Sequence, residues 1–224
     1  MTDQIFDISA DPGRPASVVD GAPGALLIII SGPSGVGKDT IIDALRRREA
    51  ETGRDGDRYY VVTCTTRAPR NGEVDGVDYH FMTREEFLAK RADRGFLEAN
   101  EVHGNWYGSP RDQVREALVA GRDVILKIDV QGAQVVKSQV TEAFLIFVVP
   151  PSMEELFARL RARATETAGE LELRQGNAAL ELARQHDYDY VVTNETGQVD
   201  RTADSIEQII ADEHLREPDR RVRV

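Results

Sequence analysis

The segment Leu26-Leu27-Ile28-Ile29-Ile30-Ser31 runs directly into Gly32-Pro33-Ser34-Gly35-Val36-Gly37-Lys38-Asp39-Thr40, and no other passage of the chain constrains its fold as strongly. An unbroken aliphatic run of strand length, without polar alternation, suits a strand buried on both faces of a parallel sheet. The glycines at 32, 35 and 37 allow a tight turn with successive backbone N–H groups aimed inward. The helix starting near Lys38 adds the positive end of its dipole, and Lys38 adds a full charge. Such a loop is an anion trap with the spacing of a phosphate cradle, and its ligand would be lined by Gly32, Pro33, Ser34, Gly35, Val36, Gly37, Lys38, Asp39 and Thr40. An ordinary strand-to-helix turn is the plainer alternative, but it has no need of three glycines and a lysine at this spacing. One residue departs from the pattern. The position after the lysine is normally Ser or Thr, whose hydroxyl holds a divalent cation, and here it is Asp39.

Periodicity extends this unit into an alternating α/β chain. Strands are expected over 26–31, 59–65, 123–128, 144–149 and 188–193, and helices over 40–48, 109–120, 152–163 and 170–185. Ser109-Pro110 and Pro151-Ser152 supply helix start signals. The fold class that follows is a parallel sheet covered by helices. Residues from about 67 to 107 read differently, being rich in Gly, Tyr, Asp and Glu with short strand-like pieces, so they are expected to form a small mixed lobe. Residues 1–24, acidic and carrying Pro12, Pro15 and Pro23, read as a flexible extension. The main domain is expected over 25–200, followed by a helix and a loose, charged tail within 201–224.

Composition narrows the function classes. With 224 residues, 41% of them apolar, the chain can fill one large core, so a second independent domain is not required. A net charge of −11, from 28 basic and 39 acidic residues, repels a polyanion and argues against a nucleic-acid partner. Any phosphate ligand must then be held by local clusters of Arg and Lys. Cys64 is the only cysteine, which excludes an internal disulfide and suits a reducing, cytoplasmic setting. The aliphatic run Leu26 to Ile30 is far shorter than the roughly 18 residues of a membrane span. The N-terminal stretch lacks the basic start and apolar centre of a secretory signal. His80, His103, His186 and His214 are scattered without metal-ligand spacing, and Arg46-Arg47-Arg48 reads as a solvated helix face.

Beyond the glycine loop the chain carries Thr65-Thr66-Arg67-Ala68-Pro69-Arg70-Asn71-Gly72-Glu73-Val74-Asp75-Gly76-Val77-Asp78-Tyr79-His80-Phe81, then Phe96-Leu97-Glu98, then Val102-His103-Gly104-Asn105-Trp106-Tyr107-Gly108-Ser109, and Ile128-Asp129-Val130-Gln131-Gly132. In order and spacing these segments resemble the guanylate kinases, over about residues 25 to 195. The resemblance implies a P-loop NTPase core, a GMP-binding lobe near 67–107 and a helical lid near 160–177. It implies transfer of a phosphoryl group from ATP to GMP with Mg²⁺, by a monomer or a homodimer. It also implies that Thr63 and Ser109 contact the base and that Arg163 and Arg174 are lid arginines closing onto the donor phosphates. Asn194 would stand at the adenine-side wall.

The residue types suit that chemistry in their own right. A nucleoside monophosphate carries a dianionic phosphate, and Arg67 and Arg70, on one short loop, offer planar donor forks that the hydroxyls of Tyr79 and Tyr107 would assist. Guanine presents N1–H and an N2 amine along one edge, so a carboxylate such as Glu98 accepts from both, whereas adenine would face it with a lone pair. Each of these residues has a duller reading: solvated arginines, core tyrosines, a surface acid. Their place inside one long motif sets them apart.

The departures cluster. Besides Asp39, Lys127 stands before Ile128-Asp129 where guanylate kinases usually carry an acid. One expectation is that Asp39 and Lys127 pair, leaving the metal to Asp129, waters and substrate oxygens. Alternatively Asp39 binds Mg²⁺ itself, or its charge weakens ATP binding. Two further readings stay open: a relative acting on a sugar bisphosphate, and a catalytically silent nucleotide- or peptide-binding module.

Overall fold

The computed structural model describes residues 18–102, 104–162 and 168–224. Its centre is β1 (Leu27–Ser31), every residue of which is buried. Around it lie β2 (Arg58–Tyr60), β7 (Asp123–Lys127), β8 (Phe144–Val149) and β9 (Tyr190–Thr193), forming one parallel sheet in the order β2-β7-β1-β8-β9. Leu27 and Ile29 face a cluster with Val124, Leu126, Leu145 and Phe147, beneath α3 (Arg111–Val119) and α4 (Val130–Gln139). Leu26, Ile28 and Ile30 face the opposite cluster with Ile125, Ile146 and Val148. That face is covered by α1 (Lys38–Glu51), α5 (Met153–Ala162) and α7 (Val199–Arg216). Burial on both faces is why the strand sequences show no alternation. Because β1 has β7 on one side and β8 on the other, its carboxyl end opens at the point where strand order reverses, the place where such sheets hold ligands.

A second sheet forms the lobe: β3 (Cys64–Thr65), β4 (His80–Phe81), β5 (Phe96–Val102) and β6 (Asn105–Pro110), ordered β4-β3-β6-β5, with α2 (Arg84–Ala92) packed on it. Cys64, Phe87 and Phe96 make its core, with Phe87 and Phe96 stacked at 4.4 Å. Cys64 is a packing residue whose thiol is pushed up to about 11 by burial.

Several expectations are corrected. The single strand over 59–65 is two: β2 pairs with β7, and after a crossover at 61–63 β3 pairs with β6 and β4. A run buried in two successive sheets reads like a run buried in one. Ser109 lies in β6, and α3 begins only after Pro110. The helix expected over 170–185 is α6 (Ala168–Leu182), ending in a 3-10 turn at Ala183–Asp187. The C-terminal tail is not loose, since Val222 and Val224 are buried and Val224 exchanges backbone hydrogen bonds with Val19 at 3.0 and 3.1 Å. This also anchors residues 19–24, which the reading of a flexible extension had included. Arg47 and Arg48 are not simply solvated, because they pair with Asp200 and Asp204 of α7.

Candidate active site

The glycine loop is built by contacts that exclude other residues. Gly32 has φ +140°, and a Cβ there would stand 2.3 Å from the Val148 carbonyl oxygen. Gly37 has φ +101° and caps α1, with Asn194 Nδ2 only 2.5 Å from where a Cβ would be. Lys38 folds back so that Nζ donates to the carbonyls of Gly32 at 2.6 Å and Pro33 at 3.2 Å. Burial pulls its ammonium below the ordinary range, against the opposing pull of Glu181, Asp39 and Asp129. The Ser34 N–H donates to Glu181 Oε2 of α6 at 3.2 Å, so an acid already meets an amide of this loop.

Asn194, expected at an adenine-side wall, is buried against the loop with both ends of its amide engaged. Its Nδ2 donates to the Val36 carbonyl at 2.8 Å and its Oδ1 accepts from Thr202 at 3.1 Å. Arg159, unmarked in the sequence, does related work from α5, donating to the Val36 carbonyl at 3.2 Å and the Asn194 carbonyl at 3.0 Å. No sequence spacing would have singled it out.

Across the cleft, β5 and β6 bring Glu98 opposite Ser109, next to a register shift between Phe96 and Glu98. The Ser109 hydroxyl donates to Glu98 Oε1 at 2.8 Å, and Asn100 Nδ2 donates to Oε2 at 3.0 Å. Ser109 therefore aims the carboxylate. Asn100, two residues along the same strand, was not singled out in the sequence, although strand alternation puts it on the same face. Glu98 is only 5% exposed, and burial raises its carboxyl to about 7, with Asp129 pushing the same way against the two donors.

Arg67 makes a two-pronged contact with Glu73, at 2.8 and 2.9 Å, and lies 5.3 Å over the Tyr79 ring. Glu73 also accepts from the Arg70 N–H at 2.7 Å, so one acid organises both arginines. Tyr79 and Tyr107 meet edge-on at 6.1 Å. Thr63 lies in the crossover between the sheets. It lines a cleft of about 230 Å³ together with Arg70, Tyr79, Asp39, Lys127 and Arg46, the last of which had been read as part of a solvated face.

Asp39 and Lys127 do pair, with Nζ donating to Oδ1 at 2.5 Å. Burial alone would lower the Lys127 ammonium, but the Asp39 carboxylate outweighs it and holds the pKa up. Asp129 caps α4, accepting from the Gly132 N–H at 2.7 Å. Among the described residues no group of three His, Cys, Asp or Glu side chains forms a ready metal cage. Asp39 and Asp129 are the carboxylates that act on Lys38 besides Glu181, and Asp39 is already engaged by Lys127. Arg163 lies outside the described residues, and of Arg174 only the backbone, in α6, is described.

Comparison with known proteins agrees with this geometry. The guanylate kinase family model matches residues 25–213. The guanylate kinase of Clostridium perfringens (strain SM101 / Type A) is 45% identical over 191 residues, covering 85% of each chain. That of Bacillus subtilis (strain 168) is also 45% identical over 191 residues, covering 85% of this chain and 90% of its own. The crystal structure of guanylate kinase from Anaplasma phagocytophilum superposes with a TM-score of 0.67 at 33% identity, over 87% of this chain and 88% of that one. Matched by the family model over residues 25–213 and 45% identical to these relatives over 85% of its length, with a glycine loop at the switch point of its parallel sheet, the chain belongs to the guanylate kinase family.

Proposed function

We propose that the protein transfers the γ-phosphoryl group of ATP to GMP, giving ADP and GDP. The observation that carries this reading is Glu98, a buried carboxylate aimed by Ser109 and Asn100, in a lobe that faces a phosphate loop. Its ionised form accepts from guanine N1–H and N2–H. A sugar bisphosphate has no use for it, and a silent peptide module has no use for Lys38 and the glycine turn.

In this account the donor triphosphate displaces Lys38 from the Gly32 and Pro33 carbonyls and takes the loop N–H groups. Asn194 and Arg159 hold the loop's shape from below. Arg67 turns from Glu73 to the GMP phosphate and the Arg70 side chain joins it, with the hydroxyls of Tyr79 and Tyr107, while Thr63 stands beside the base. A phosphate oxygen of GMP, already without its proton, attacks the γ-phosphorus. The bond from that phosphorus to the β-bridging oxygen breaks, and ADP leaves. Catalysis is then alignment plus positive charge on the transferring oxygens. Lys38 supplies part of that charge, with Arg163 and Arg174 from the lid. With Asp39 engaged by Lys127, Mg²⁺ would be held by Asp129 and substrate oxygens and would neutralise phosphate charge. The setting is the cytoplasm, where both nucleotides are found.

A coupled assay of ADP formation with GMP, AMP, CMP and UMP, with and without Mg²⁺, tests this. Turnover is expected with GMP alone and only with the metal. Equal turnover with AMP would remove the role given to Glu98.

A further inference from the structure

Lys127 ends β7 where three parts of the molecule meet. Its Nζ reaches Asp39 Oδ1 at 2.5 Å and stands 5.6 Å over the Tyr79 ring, and its backbone is in register with Ile30, just ahead of the glycine turn. Asp39 belongs to the first turn of α1, next to Lys38, while Tyr79 belongs to the lobe. A lone carboxylate at that position would cancel part of the positive field that the helix N-terminus and Lys38 present to a phosphate, because negative charge a few ångströms from a bound phosphate raises its free energy. The ammonium of Lys127 offsets it, and its contact with the aromatic ring is attractive. Arg46, which lines the same cleft, is drawn to the Tyr60 ring at 5.0 Å.

We propose that Lys127 is a further positioning residue of the phosphoryl-transfer site: it neutralises Asp39 beside the glycine loop and, through Tyr79, sets where the acceptor lobe stands relative to that loop. The inference rests on reading the cleft as a nucleotide site. It has consequences of opposite sign. Lys127→Met removes the ammonium that offsets Asp39 and weakens metal-free ATP binding by roughly tenfold. Asp39→Asn leaves Lys127 unopposed and tightens it by a similar factor, and the double variant returns to within about threefold of the starting protein. Lys127→Arg keeps the charge and the affinity. All these differences shrink as salt is raised. The double variant still lacks the cation on Tyr79, so its KM for GMP stays elevated while its ATP affinity recovers.

The test is calorimetric titration of ATP, in the presence of a chelator, into the five proteins, followed by KM for GMP with the metal restored. Melting curves establish that each variant is folded. If Lys127→Met does not fold, Asp39→Asn and Lys127→Arg still decide the sign of the effect. Opposite shifts for the two single variants, with recovery in the double, support the proposal. Equal ATP affinity in all five, or weakening in every variant whatever the sign of the charge removed, overturns it. If the unaltered protein binds neither ATP nor GMP, the nucleotide reading itself falls. If it binds both and the variants match it, only the role of Lys127 falls.

Discussion

Burial leaves the Glu98 carboxyl near its titration midpoint at neutral pH, at about 7 against an ordinary 4.5, yet guanine needs it ionised. GMP binding below that midpoint must therefore expel a proton, and affinity is expected to fall by roughly tenfold per pH unit on the acid side. The GMP phosphate titrates near pH 6 as well, so the check is a calorimetric comparison with Glu98→Gln, whose profile lacks the Glu98 component. The same shift has a stability sign. A carboxyl raised on folding contributes fully below its unfolded value, and that contribution is lost as pH climbs from 4.5 to about 7. Glu98→Gln should thus gain about 3 kcal/mol of relative stability between pH 5 and pH 8, read from denaturant melts, while losing GMP affinity. Asn194 is the other residue with a sharp expectation. Asn194→Ala leaves the buried Val36 carbonyl without its amide partner, costing about 1–3 kcal/mol and raising KM for ATP. Guanine chemistry and its motif singled out Glu98, which the fold buries and aims with two donors, whereas nothing in the sequence foretold the contact of Asn194 with the loop backbone. A single asparagine after a strand carries no local sign of whether its amide faces a ligand or the underside of a loop.

At the scale of elements, the strands of the parallel sheet were readable because burial on both faces writes an unbroken apolar run, as in β1 and β8. The lobe was not. β5 reads Phe-Leu-Glu-Ala-Asn-Glu-Val, buried only over its first three residues, and its polar second half resembles a loop. α4 carries Gly132 in its first turn, which lowers its helix propensity, and a Cβ there would crowd the Glu98 and Asp129 carboxylates at 3.0 and 3.2 Å. α2 did leave a signal, the capping box of Thr83 and Glu86, and it went unread. The packing of β1 against β8 makes one prediction. Gly32→Ala would press a methyl group against the Val148 carbonyl, so a loss of roughly 3 kcal/mol in thermal or denaturant melts is expected, with ATP binding abolished. The chain end makes another. Val222→Asp would bury a charge in the cluster beneath α3, lowering stability by about 3 kcal/mol or more while KM for GMP at low temperature stays close to that of the parent.

The whole molecule is a parallel core and a smaller lobe with its own aromatic centre, and the core's Asp39–Lys127 pair lines one cleft together with Thr63, Arg70 and Tyr79. Against an overall charge of −11, the proposed reaction relies on the local cations Lys38, Arg67 and Arg70 to draw phosphates in. The account depends on donor and acceptor occupying that one cleft at once, with Glu98 reading the base. Single-turnover transfer from γ-labelled ATP tests it most directly, comparing GMP and AMP as acceptors in the parent protein and in Glu98→Gln. The expected result is label in GDP, little in ADP made from AMP, and a large loss of GMP transfer in the variant. Label appearing only as inorganic phosphate, or reaching GMP undiminished without the Glu98 carboxylate, would contradict it.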